Sequence, residues 1–148
     1  MADAVQFRFR EDAVVAQAPV SLADFLAGSN AGAVRIEPGE DARALLPHLG
    51  QLVLVEVAFP VFGDGRGYSA ARILREHGYT GELRASGDVL VDQIAMLRRC
   101  GFDSFAPATP LDEADVAAAF ATWPQVYQPT VDGRTPIWAL RHGAAQNA

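Results

Sequence analysis

The sequence predicts an α/β fold: a single domain of consecutive βα units with a small parallel sheet, either an open three-layer sheet or one shaped like part of a barrel. Three observations lead there. Strand-like and helix-like segments alternate three times between Leu52 and Trp123, the spacing of βαβ units. The run "LVLVEVAF", Leu52 to Phe59, is almost continuously apolar, as in a strand covered on both faces. Half of the 148 residues are hydrophobic, enough at this length for one buried core. Right-handed crossovers set the helices over the sheet, and the chain is too short for an eight-unit barrel.

Taken in order, "VQFRFRED" alternates Val5, Phe7 and Phe9 with polar residues and reads as a half-buried strand or a loosely attached arm. "SLADFLAG" reads as a short helix with Ser21 as N-cap, Asp24 three residues on and Gly28 as its stop. "VRI" is a short strand after the loop "SNAGA". "PGEDARALLPHLG" is another short helix, with Leu45, Leu46 and Leu49 inward and Pro47 a late break. The long apolar strand follows, bounded by Pro60. Helix "SAARILREHG" turns Ile73 and Leu74 inward and ends at Gly78. "GELRASG" is the next strand. Helix "DVLVDQIAMLRRCG" shows an apolar face of Val89, Leu90, Ile94 and Leu97 and ends at Gly101. "FDSFAP" is a third strand in this series. "TPLDEADVAAAFATW" is a third helix, with Thr109 as N-cap and Pro110 in its first turn. "QVYQP" reads as a further strand. The α/β domain is expected over residues 1–128. Residues 129–148 form an extension in which Asp132-Gly133 signals a hairpin turn, followed by a disordered tail.

Composition narrows the function classes. The formal net charge of −6 argues against nucleic-acid binding and against a basic membrane anchor. All twelve Lys-or-Arg positions are arginine, the usage of a GC-rich bacterial genome, so no Schiff-base lysine exists and every cation is a planar fork suited to carboxylates or oxyanions. One cysteine, Cys100, rules out an intramolecular disulfide, a Cys-x-x-Cys pair or an iron–sulfur cluster held by one chain. His48, His77 and His142 stand at no metal-ligand spacing. No apolar run has membrane length and the amino terminus lacks a signal core, so a soluble cytoplasmic protein is expected.

Two loops are candidate sites. In "FGDGRGYSAARILREHGY", Gly65, Gly67 and Ala70 satisfy the G-x-G-x-x-G/A pattern between a strand and a helix, and Asp88 lies near the distance of a ribose-binding acid. Against a dinucleotide, Phe59 to Asp64 separate the apolar strand from Gly65, and Asp64 stands where pyrophosphate would approach. A smaller oxyanion fits better: glycine N–H groups and a helix amino end attract it, with Asp64, Gly65, Arg66, Gly67, Ser69 and Arg72 as candidates. The competing reading is a tight turn with Ser69 as N-cap and Arg66 paired to Asp64. "RASGD" ends the next strand, so Arg84, Ser86 and Asp88 are expected on the same sheet edge, facing the same crevice. There too a plain alternative stands, with Asp88 as N-cap. Arg98 and Arg99 suit a helix carboxyl end, and Cys100 beside them reads as structural. No nucleophile and base pair up, and no cofactor is evident.

The run "FPVFGDGRGYSAARILREHGYTGELRASGDVLVDQIAMLRRCGFDSFA", Phe59 to Ala106, closely resembles the bacterial domain of unknown function 934 family, in which DGRGYS, GYTGELRA, GDVL and RRCGFD recur at these spacings. The resemblance extends over about Val20 to Gln128. It implies a place in sulfate assimilation, as an oxidoreductase of sulfite reduction or an accessory or electron-transfer partner of sulfite reductase. It supplies no catalytic residues.

Overall fold

The computed structural model describes residues 4–122, 130–136 and 139. Its elements are β1 (Phe7–Arg8), β2 (Val20–Ser21), α1 (Leu22–Leu26), β3 (Ala33–Ile36), a 3₁₀-helix (Ala42–His48), β4 (Leu54–Phe59), α2 (Arg66–Glu76), β5 (Glu82–Gly87), α3 (Val91–Arg99), β6 (Ser104–Pro107) and α4 (Glu113–Thr122). The strands form one open sheet in the order β1-β6-β5-β4-β3-β2. Pairs from β2 to β6 are parallel; β1 runs antiparallel to β6 and makes the sheet mixed. The expected α/β architecture of consecutive βα units is present, open rather than closed into a barrel.

Strand order never reverses between β2 and β6, so each right-handed crossover lands on the same face. Residues from α1, the 3₁₀-helix, α2, α3 and α4 share one core with Val34, Ile36, Val55, Val57, Leu83 and Phe105 of the sheet. Each of these five helices packs on that one core. A second consequence concerns ligands. Open α/β sheets bind them where strand order reverses, and between β2 and β6 no such reversal occurs.

Local chemistry explains most element ends. Ser21 caps α1 as expected, its Oγ accepting the Asp24 N–H at 3.1 Å. The segment around Pro47 is a tighter 3₁₀-helix, begun by Asp41, whose carboxylate accepts the Arg43 N–H. Thr109 does not cap α4. Asp112 does, accepting N–H bonds from Ala114 and Asp115 at 2.8 and 3.1 Å. β4 is buried at all six positions. In the extension, a turn over Thr130–Gly133 is tied to the end of α3 by the Arg99–Asp132 pair at 3.0 Å and by Thr130 Oγ1 donating to the Arg99 carbonyl. The expected strand at Gln125–Pro129, the rest of the hairpin and the tail lie outside the described residues.

Candidate functional site

The glycine-rich loop leaves β4 at Phe59 and enters α2 at Arg66, three residues before the expected start at Ser69. Ser69 is therefore inside the helix, exposed, and not its N-cap. Arg72 falls in the second turn rather than the first and pairs with Glu76 at 2.8 Å. The amino end of α2 is already filled by a carboxylate: Asp64 Oδ1 accepts the Arg66 N–H at 3.1 Å, and the Arg66 guanidinium reaches Asp64 Oδ2 at 2.6 Å. This clamp holds the Asp64 carboxyl down to about 2, first through the Arg66 side chain and then through its N–H.

The glycines divide by role. Gly65 has open space where a Cβ would stand. At Gly67 a Cβ would lie 2.5 Å from the Phe59 ring and 3.0 Å from Val57, so this glycine lets α2 lie close on β4. That is helix–sheet packing, not an approach path for phosphate.

The second loop divides as well. Arg84 is not at the strand end but in the middle of β5, buried, its side chain directed to Glu82 at 3.3 Å and Ser104 at 3.4 Å. Ser86 is buried on that same face, since its neighbour Ala85 belongs to the helix-side core. Of the three, Asp88 alone meets the glycine-rich loop. It is not a helix cap, because α3 starts at Val91. Gly87 ends β5 at φ +100°, with Phe59 O only 2.5 Å from where a Cβ would be, and this turn sends Asp88 back toward β4. Its Oδ2 accepts the Phe62 N–H at 3.0 Å. The Gln93 amide completes the junction, donating to the Phe62 carbonyl at 2.6 Å while its oxygen accepts the Leu90 N–H at 3.2 Å.

This junction holds three large apolar side chains in solvent: Val61 at 58% exposure, Phe62 at 49% and Leu90 at 36%. Val61 and Phe62 are not among the expected site residues, and the expected place of Leu90 on the apolar face of α3 is wrong, because it precedes the helix as its N-cap and stays exposed. The available signal was an apolar pair, Val61-Phe62, set between Pro60 and Gly63 in a loop. Topology also gathers acids here. Helices begin at the carboxyl ends of the parallel strands, and Asp41, Asp64, Asp92, Asp112, Glu113 and Asp115 all stand at or just before such a beginning.

On the other side of the α2 amino end, a cleft of about 230 Å³ opens between the Glu37–Arg43 segment and Arg66, Ser69 and Ile73. It is smaller than the ~300–1,000 Å³ typical of cofactor and drug-sized sites. Glu37, Glu40, Asp41, Arg43 and Arg66 all line it, so its lining is mixed in sign with acids in the majority.

The sheet face turned away from the helices is polar. Paired registers align Arg35, Glu56, Arg84, Ser104 and Arg8 across five strands. Arg35 binds Glu56 at 2.8 Å, and Glu82 receives both Arg84 and Arg8 at 3.3 and 3.4 Å. Glu82 Oε2 and Ser86 Oγ are buried with no hydrogen-bond partner among the described residues. A Glu inside an otherwise apolar strand was the readable sign of this row.

Among the described residues, no three metal-ligating side chains cluster, and no helix is long and apolar enough to cross a membrane. Neither the curated proteins nor the solved structures contain a match to the chain. The model of a bacterial protein family of unknown function, DUF934, matches residues 33–138, beginning later than Val20 and running past Gln128 into the extension, and the chain belongs to that family.

Proposed function

We propose that this protein is an accessory partner in sulfite reduction, acting by contact with a reductase rather than as a nucleotide-dependent oxidoreductase. The Asp64–Arg66 clamp carries the second half of this reading. A dinucleotide or oxyanion needs the amino end of α2 for its phosphate or oxygens, and there the Asp64 carboxylate already takes the Arg66 N–H and the Arg66 guanidinium that such a ligand would use. The 230 Å³ cleft is also small for a nicotinamide or flavin. The sulfite-reduction setting is supported by the motif resemblance alone.

The test is co-purification of the tagged protein with sulfite reductase from its own cells, together with reductase activity after deletion of the gene. Association and a loss of sulfite-reducing capacity are expected. No association and an unchanged reductase would sink the reading. The protein from its own host should also show no visible absorption; a bound flavin spectrum would restore the oxidoreductase alternative. The oxyanion alternative is measured by calorimetry with sulfite, sulfate and phosphate, where no binding below millimolar concentration is expected.

A further inference from the structure

We propose that the carboxyl-terminal edge of the sheet is a protein-docking surface, with Phe62 as its central anchor, and that the partner presents an apolar depression ringed by Lys and Arg. This rests on the accessory role proposed above but does not require the partner to be sulfite reductase. The side chain of Phe62 is half exposed while its backbone is fixed at both polar atoms, the N–H by Asp88 and the carbonyl by Gln93. Solvating water could satisfy those two groups without any side chain. Here two side chains from a neighbouring βα loop are committed to them instead. Gln93 also fixes the Leu90 N–H, so one amide group couples the two exposed apolar residues. An exposed aromatic held in one place loses little freedom on binding, which lowers the cost of association. Large aromatic side chains at the centre of a polar rim are the usual anchors of interfaces.

The sign of the rim selects the partner. Asp64, Asp88 and Asp92 each stand within two residues of Phe62 or Leu90, and Asp112, Glu113 and Asp115 stand at the start of α4 on the same sheet edge. Arg66 is bound to Asp64, so it leaves that acid pair neutral rather than reversing the sign of the edge. The chain as a whole carries −6. A basic surface is attracted to such an edge and an acidic one repelled. A second copy of this chain would bring the same acids face to face.

A photo-reactive phenylalanine placed at Phe62, and in a separate strain at His77 on the opposite sheet edge, tests this in the host cell with the full chain. Phe62 is expected to crosslink one protein at a site flanked by Lys or Arg, and His77 to give none. With that protein purified, Phe62→Ala should weaken binding about tenfold or more. Gln93→Leu, which leaves every exposed apolar side chain in place, should weaken it severalfold, and added salt should weaken all three forms. If the protein caught is sulfite reductase, both proposals stand. Another basic partner supports the docking edge and removes the sulfite-reductase reading. Reductase caught only from His77 overturns the docking edge and leaves the accessory role. No crosslink from Phe62, or only a crosslink to a second copy, overturns the docking edge.

Discussion

Adding a single methyl group at Gly67 separates a packing glycine from a phosphate-approach glycine. In Gly67→Ala the new Cβ would lie 2.5 and 2.7 Å from two atoms of the Phe59 ring and 3.0 Å from Val57 Cγ1. The ring cannot swing away freely. It is 3% exposed and packs edge-on against Tyr68 and Phe102, with centroids 5.9 and 5.8 Å away. Overpacking of this kind costs ~1–3 kcal/mol. Replacing a helical glycine by alanine returns about 1 kcal/mol through backbone entropy. With the neighbours this rigid the upper part of the range applies, so a net loss of about 1–2 kcal/mol is expected. At 148 residues that is a fall in Tm of roughly 2–8 °C. Gly65→Ala is the control. Its φ is −81°, ordinary for any residue, and its Cβ would meet nothing within 4 Å, so it should stay within ~0.5 kcal/mol of the parent. Urea unfolding followed by circular dichroism measures both. Equal stability of Gly67→Ala and the parent, or a larger loss from Gly65→Ala, would refute the packing role assigned to this loop.

Three further outcomes are expected. The Asp64 carboxyl should titrate near pH 2 by carbon NMR, and in Arg66→Ala it should rise toward the ordinary carboxylate value without reaching it, since the backbone N–H of residue 66 remains. Because folding lowers this value, the clamp's contribution is present above about pH 4 and is lost as pH falls through 2; an unshifted Asp64 in the parent would remove the clamp. Asp103→Asn should destabilise the fold by about 1–3 kcal/mol: the buried Asp103 carboxylate binds Arg10 at 2.8 Å and the half-buried Arg75 at 2.9 Å, and its loss leaves Arg75 with backbone carbonyls alone while Arg10 keeps Asp12. A variant that melts with the parent would show this pair of bridges to be incidental. Burial pushes the Cys100 thiol up, against the pull of Arg72 and Arg99, so alkylation at pH 7.5 should be slower than that of a free thiol; rapid labelling of the folded protein would contradict it.

The fold was legible where one period ruled a segment. β4, β5 and α2 follow from apolar runs and a helical repeat, with shifts of a few residues at their ends. The misses share a cause: an end is decided by what lies across the fold. Asp88 sits three residues before α3 and reads as a cap, but Gly87 turns it toward Phe62, a partner 26 positions back. Ser69 looks like a cap until Asp64 starts the helix earlier. Arg84 was placed in a crevice because the whole of RASGD was read as the strand's end; in β5 it lies three residues before Gly87, and alternation turns it to the polar face. The candidate site was less legible, for the same reason. Nothing local in "PVFGDG" says that an aromatic side chain stays in solvent, since this depends on Gln93 from another βα unit.

The acid-lined edge raises the question of whether helix capping alone explains it. Acids at helix beginnings are stabilising wherever they occur, because they meet unpaired N–H groups and the positive helix end. In a parallel sheet those beginnings also gather at one edge, so a negative rim by itself says little about function. Asp41 and Asp112 do cap, accepting backbone N–H bonds two residues on, and Asp64 accepts the first N–H of α2 from just before its N-cap, Gly65. Asp88 does not. It accepts its bond from the loop that carries Phe62 and leaves the apolar Leu90 at the N-cap of α3. An acid free to serve only the helix would sit at position 90, and a loop with no surface to present would bury or omit Val61 and Phe62. The departure from helix logic and the exposure of apolar side chains occur at the same junction, and a docking edge requires both.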